Sequence, residues 1–170
     1  VYGDHKRFIE TYFSQFSGKY FTGDAARRDS DGYYWITGRV DDVINVAGHR
    51  LGTKELESAC LTVPEIAEAS VVPVADELKG RVPDIYISLK PESEPSRQIE
   101  DRVVRSIEKE IGKIARPKNV WIVPDMPKTR SGKIMRRVLA SISNASDVGD
   151  ITTLANPEVV EHIRQMVQGQ

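Results

Sequence analysis

Apolar side chains recur every four positions at Ile99, Val103, Ile107 and Ile111, and Val104 widens the stripe, which predicts an amphipathic helix. Just before it, Asp84-Ile85-Tyr86-Ile87-Ser88-Leu89 alternates apolar with other side chains, the pattern of a strand. Residues 69–75 read as a further strand, in which Pro73 suits an edge or a bulge. Val120-Trp121-Ile122-Val123 is a fourth short run, ended by Pro124, after Val43-Ile44-Asn45-Val46, which Gly48 ends in a tight turn. Thr53 is placed to cap a helix over about 54–61, closed by Pro64. Another helix is expected over about 134–142. Asn156 as cap and Pro157 at the first helical position announce a terminal helix to about 168.

Strands alternate with helices after residue 42, so the pattern predicts an α/β (α+β) domain with a central three-stranded sheet flanked by helices. Upstream, Asp29-Ser30-Asp31-Gly32 is a turn signal before the β-rich Tyr33-Tyr34-Trp35-Ile36-Thr37, and the stretch from Tyr20 to Arg39 reads as a β-hairpin. Residues 1–20 carry Tyr2, Phe8, Tyr12, Phe13, Phe16 and Tyr20 without clear periodicity, as expected of segments packed on something else. Gly38-Arg39-Val40-Asp41-Asp42 interrupts the pattern, and a domain boundary is expected there.

Composition narrows the class. With 39% apolar and 29% charged residues among 170, the balance is that of a soluble globular protein. The net charge of −1 provides no global attraction for nucleic acid. No apolar run approaches the roughly 18 residues of a membrane span, and no signal peptide is expected. The lone Cys60 fits a reducing compartment and reads as a buried helical thiol. The start at Val1, on loop-like polar sequence, is that expected of a piece of a longer protein.

Three clusters combine charge with glycine. Pro127–Arg137 packs five cations into eleven residues, broken by Ser131-Gly132 just before Lys133. A lysine aimed at an anion needs such a turn, with glycine supplying the unusual backbone angles and Ser131 capping the helix that follows. A solvated basic turn would present the same composition. In Tyr20-Phe21-Thr22-Gly23-Asp24, the aspartate suits the vicinal hydroxyls of a ribose, or a simple turn carboxylate. In Gly38–Gly52, Arg39 and Arg50 suit phosphate oxygens, while the whole stretch also suits a salt-bridged hinge. One cysteine and three scattered histidines make none of the usual metal sites, so no metal ligands are assigned.

Taken in order, Tyr20–Asp24, Asp31–Asp42, Ala47–Gly52, Pro127–Arg137 and Gly149–Pro157 resemble the late core motifs of the acyl-adenylate-forming enzymes. The resemblance covers nearly the whole chain and is nearest to the AMP-forming acetyl- and propionyl-CoA synthetases. It implies that residues 1–40 are the end of a large N-terminal domain and 41–170 a mobile C-terminal domain. It also implies that Asp24 binds the ribose hydroxyls of ATP and AMP, Arg39 the ribose or phosphate, and Arg50 phosphate groups. Asp41 becomes the hinge, and Ala47 and Gly48 line the CoA pantetheine tunnel. Lys133 becomes the catalytic lysine of adenylation and a site of regulatory acetylation, with a protein acetyltransferase and deacetylase as partners.

The implied substrates are acetate or another short carboxylate, ATP accompanied by Mg2+, and CoA, in the cytoplasm, with neither nucleic acid nor membrane as partner. The isolated chain is expected to be inactive in adenylation. Two departures stand out. Glu108 occupies the place where the family carries an arginine for the CoA 3′-phosphate, leaving Arg105, Lys109, Lys113 or Arg116 to hold it, and Ala47 replaces a common serine. A propionate-specific enzyme is one alternative, and a non-catalytic module that binds partners or is acetylated is another.

Overall fold

In the computed structural model, which describes residues 2–40 and 42–169, the chain divides into two compact units, Val1–Asp42 and Val43–Gln170. The first opens with a helix, α1 (His5–Tyr12), where the sequence pattern gave no periodicity. The Asp4 carboxylate caps it by accepting the Arg7 N–H at 3.0 Å. Aromatic rings define this segment: Tyr12 and Tyr20 stack with centroids 5.0 Å apart, and Phe8 and Phe13 pack beside them. The expected hairpin follows as β1 (Asp24–Arg28) and β2 (Tyr34–Arg39), paired antiparallel. Its turn is organised by Asp29, whose carboxylate accepts the N–H groups of Asp31 and Tyr33 and the indole N–H of Trp35 at 2.7 Å.

The second unit holds β3 (Val43–Val46), β4 (His49–Gly52), α2 (Thr53–Cys60), β5 (Ile66–Asp76), β6 (Gly80–Leu89), α3 (Arg97–Glu110), β7 (Val120–Ile122), α4 (Arg136–Ser143) and α5 (Glu158–Gln168). The sequence pattern predicts a central sheet of three strands. The sheet is five-stranded rather than three-stranded, because the β3–β4 hairpin joins it through the pairing of Val46 with Gly80. β6 is its axis. β5 runs antiparallel along one side, and β3 and the parallel β7 share the other.

Alternation along β6 explains the layers. Ile85 and Ile87 point into a core with Leu56 and Cys60 of α2 and Val103 and Ile107 of α3. Tyr86 points the other way, into a second core with Leu139 and Ile142 of α4 and Ile163 of α5. Asp84 shares that second face although it is 1% exposed. It is tolerated there because its carboxylate accepts Asn119 Nδ2, Trp121 Nε1 and Ser143 Oγ at 3.0, 3.0 and 2.6 Å.

Pro73 lies on an edge strand, as expected, and the register sets it opposite Pro83, so neither missing N–H costs a ladder bond. Cys60 is a buried helical thiol, pushed up to about 12 by burial and by the charge of Glu57. Three expected caps are displaced. Thr53 is the first residue of α2, and Gly52 holds the cap position. Pro157 occupies the cap position of α5, while the Asn156 side chain turns away to another loop. Ser131 caps no helix, since α4 begins only at Arg136 and Ser131 Oγ bonds Thr129 Oγ1 at 3.0 Å.

Candidate functional site

Lys133 sits on a small hairpin rather than at a helix start. Thr129 N–H donates to the Lys133 carbonyl at 2.9 Å, Gly132 N–H to the Thr129 carbonyl at 2.8 Å, and Met135 N–H to the Pro127 carbonyl at 2.8 Å. Arg130-Ser131-Gly132 is therefore a three-residue hairpin loop, a type that requires a left-handed residue at its third position. Gly132 supplies it with φ +79°. A Cβ there would meet nothing, so the requirement is conformational rather than steric.

The five cations of this run separate into two kinds. Lys128 Nζ contacts Glu68 Oε2 at 2.7 Å and Asp125 Oδ1 at 2.8 Å. Arg136 binds Glu57 through Nε at 2.9 Å and through Nη2 at 2.7 and 2.8 Å. Arg137 donates to the carbonyls of Val148 and Asp150. Arg130 and Lys133, at the exposed tip, form no side-chain ion pair or hydrogen bond among the described residues. Three cations thus fasten the hairpin and two face solvent.

The base of the hairpin is rigidly tied. Asn156 Oδ1 accepts the Lys128 N–H, its Nδ2 donates to Asp125 and to the Met126 carbonyl, and Ala155 N–H donates to the Lys128 carbonyl. Burial tends to raise the Asp125 carboxyl, but the bonds from Lys128, Met126 and Asn156 outweigh it and hold the group below its ordinary value. Bonds from Asp125 and Glu68 raise Lys128.

The other candidates lie on two further turns. Ala47-Gly48 is the two-residue loop of the β3–β4 hairpin, with φ of 48° and 86°. Positive angles at both central positions match the right-handed twist of the strands. Ala47 N–H donates to the Lys79 carbonyl, tying this tip to the β5–β6 turn. Arg50 is exposed on β4 opposite Asn45. In the first unit, Asp24 and Arg39 face each other across the β1–β2 ladder, and Thr22 Oγ1 accepts the Asp24 N–H. The Asp41 position lies outside the described residues. Glu108 is engaged by Arg116 at 3.0 Å, so part of its charge is neutralised within the domain.

Glu57, Glu68 and Asn156 were not foreseen as part of this arrangement. Glu57 carried a readable signal: in α2 it stands with Thr53, Leu56 and Cys60 on the buried helical face, where an acidic residue requires a partner. That partner, Arg136, is 79 positions away.

Among the described residues no group of three acidic, histidine or cysteine side chains is placed to hold a metal ion, and no helix is long and apolar enough to cross a membrane. Residues 55–133 match the family model of the AMP-binding enzyme C-terminal domain. Over 165 residues, 96% of the chain, the sequence is 56% identical to an acetyl-coenzyme A synthetase of Aeromonas hydrophila, covering 26% of that protein. It is 53% identical to acetyl-coenzyme A synthetase 1 of Pseudomonas aeruginosa over the same share of the chain and 25% of the relative. The chain therefore spans about a quarter of the length of the curated relatives it matches. Among solved structures, an anthranilate CoA ligase in complex with anthranoyl-AMP superimposes with a TM-score of 0.75 at 30% identity, over 85% of this chain and 27% of that one. An ATP-bound RpMatB-BxBclM chimera follows at 0.70 and 26% identity, over 85% and 28% of the two chains. Residues 55–133 thus carry the AMP-binding enzyme C-terminal domain, and along nearly its whole length the chain is similar to acetyl-coenzyme A synthetases.

Proposed function

We propose that the chain is the C-terminal part of an enzyme that makes acetyl-CoA from acetate, ATP and CoA through an acetyl-adenylate, releasing AMP and pyrophosphate. The observation that carries this reading is the separation of two built turns on one rigid ribbon. The lysine hairpin is anchored at the Glu68 end of β5, and the Ala47-Gly48 turn is tied to the Asp76–Gly80 end. Glu68 to Asp76, at about 3.3 Å per residue of strand, spans about 26 Å. A single placement of the domain cannot present both turns to one reaction centre. Two half-reactions served by two placements can use each in turn.

In the first half-reaction, acetate attacks the α-phosphorus of ATP, and negative charge grows on the phosphoryl oxygens and the departing pyrophosphate. The Lys133 ammonium, exposed at the tip and without a side-chain partner among the described residues, stabilises that charge. Arg50 meets phosphate groups, while Asp24 and Arg39, brought together by the β1–β2 register, hold ribose and phosphate. Mg2+ arrives with ATP as part of the substrate. For the second half-reaction the domain turns about Asp41, which adjoins the boundary between the two units, and Ala47-Gly48 lines the path of the CoA arm. The exposed aromatic rings of the first unit (Tyr33, Tyr34 and Trp35 among them) support reading residues 1–40 as the end of a larger N-terminal domain. Acetylation of the accessible Lys133 by a protein acetyltransferase would remove the cation and stop adenylation, and a deacetylase would restore it. The proposed compartment is the cytoplasm. Propionate remains the alternative substrate, since none of these residues measures acyl length.

Lys133→Ala in the full-length enzyme tests this. Acetate-dependent ATP–pyrophosphate exchange should fall by about 100-fold or more, with thioester formation from supplied acetyl-adenylate retained. Unchanged exchange would favour a non-catalytic module.

A further inference from the structure

Among the described residues the Lys133 side chain forms no ion pair or hydrogen bond, and its backbone is bonded only within the hairpin, to Thr129, so its aim depends on how the two legs are fastened. The entering leg is fastened by Lys128 and Asn156. The leaving leg passes directly into α4, and its fastening is a different hub. Glu57 on α2 is 5% exposed. Its carboxylate receives Arg136 Nε and Nη2, Lys54 Nζ at 2.9 Å and the Val71 N–H at 3.3 Å. One side chain thereby joins α2, the open edge of β5 and the first residue of α4, three positions after Lys133.

We infer that Glu57 is a positioning residue for the Lys133-dependent half-reaction, acting through Arg136 to fix the direction in which the lysine hairpin projects. The inference rests on the proposed role of Lys133. Two features favour a fixed geometry over general stabilisation. The contact is a planar fork gripping one carboxylate, which defines angle as well as distance. It is also applied where the hairpin leaves the loop for α4, so a small rotation at Arg136 is carried to the ammonium. Displacement of about 1 Å at a catalytic group costs on the order of 100-fold in rate. The Ala47-Gly48 turn, tied to Lys79 at the far end of the ribbon, does not share this hub.

The test is Glu57→Gln and Arg136→Lys in the full-length enzyme, with Lys133→Ala alongside. Each is assayed for acetate-dependent ATP–pyrophosphate exchange and for thioester formation from supplied acetyl-adenylate, with thermal unfolding recorded. Glu57→Gln is expected to lower exchange by about tenfold or more, with thioester formation within about twofold of the parent enzyme. Arg136→Lys, which keeps the charge but loses the fork, should show the same split. If Glu57→Gln fails to fold, Arg136→Lys decides alone. Equal loss in both half-reactions, or no loss in exchange while Lys133→Ala abolishes it, overturns the positioning role and leaves the lysine's role intact. Exchange untouched by Lys133→Ala would instead overturn the proposed function on which the inference rests.

Discussion

Ala47 and Gly132 occupy the same kind of backbone, with φ of 48° and 79°, and only one of them is suited to it. For a residue with a Cβ the left-handed region costs roughly 1–2 kcal/mol. Ala47→Gly should therefore stabilise the chain by about 0.5–1 kcal/mol after the added freedom of the unfolded glycine is subtracted. Gly132→Ala should destabilise it by about 1 kcal/mol. Urea midpoints of the two variants, moving in opposite directions, are the measurement. The glycine of the lysine turn was legible in the sequence because its requirement is local: three loop residues, one of them left-handed. Ser131 shows the limit of such reading. Its position before a helical stretch suggests a cap, yet Met135 N–H and Thr129 N–H close a hairpin that delays the helix to Arg136.

At the level of elements, the amphipathic stripe of α3 and the alternation of β6 announced the layers, because burial selects apolar residues at the period of each element. The anchoring of the lysine hairpin did not announce itself. Lys128, Asp125, Glu68 and Asn156 come from three separate stretches, and each is unremarkable alone. Their geometry has a pH signature. The Asp125 carboxyl is held below its ordinary value in the folded chain, so its contribution is complete above that ordinary value and is lost as pH falls through the lowered one. Unfolding midpoints of the chain should fall on acidification below about pH 4, and Asp125→Asn should reduce that dependence. An unaltered pH profile in the variant would show that the carboxylate contributes nothing measurable. Asp125 is partly exposed, so the effect is screened and modest.

For the whole molecule, the long β5–β6 ribbon matters most. Under the proposed function its two ends carry the two turns assigned to the two half-reactions, and this separation would convert a rotation of the domain into a change of chemistry. Gly48→Phe should slow thioester formation about tenfold or more, by placing bulk in the CoA path, while leaving ATP–pyrophosphate exchange within about twofold. It is thus the mirror image of the lysine variant. Loss of exchange in Gly48→Phe would show that the two ends do not serve separate steps.

The sequence by itself determined the resemblance to the family, the α/β class and the two glycine turns, one of them carrying Lys133, since these depend on short motifs and on periodicity. Only the tertiary structure decided that the sheet has five strands, that three of the five clustered cations are fasteners, and that Glu57 grips the start of α4. The physical reason is the range of the interactions. A turn or a helix face is written within a few residues, whereas a buried carboxylate is satisfied by whichever donors the packed layers bring to it.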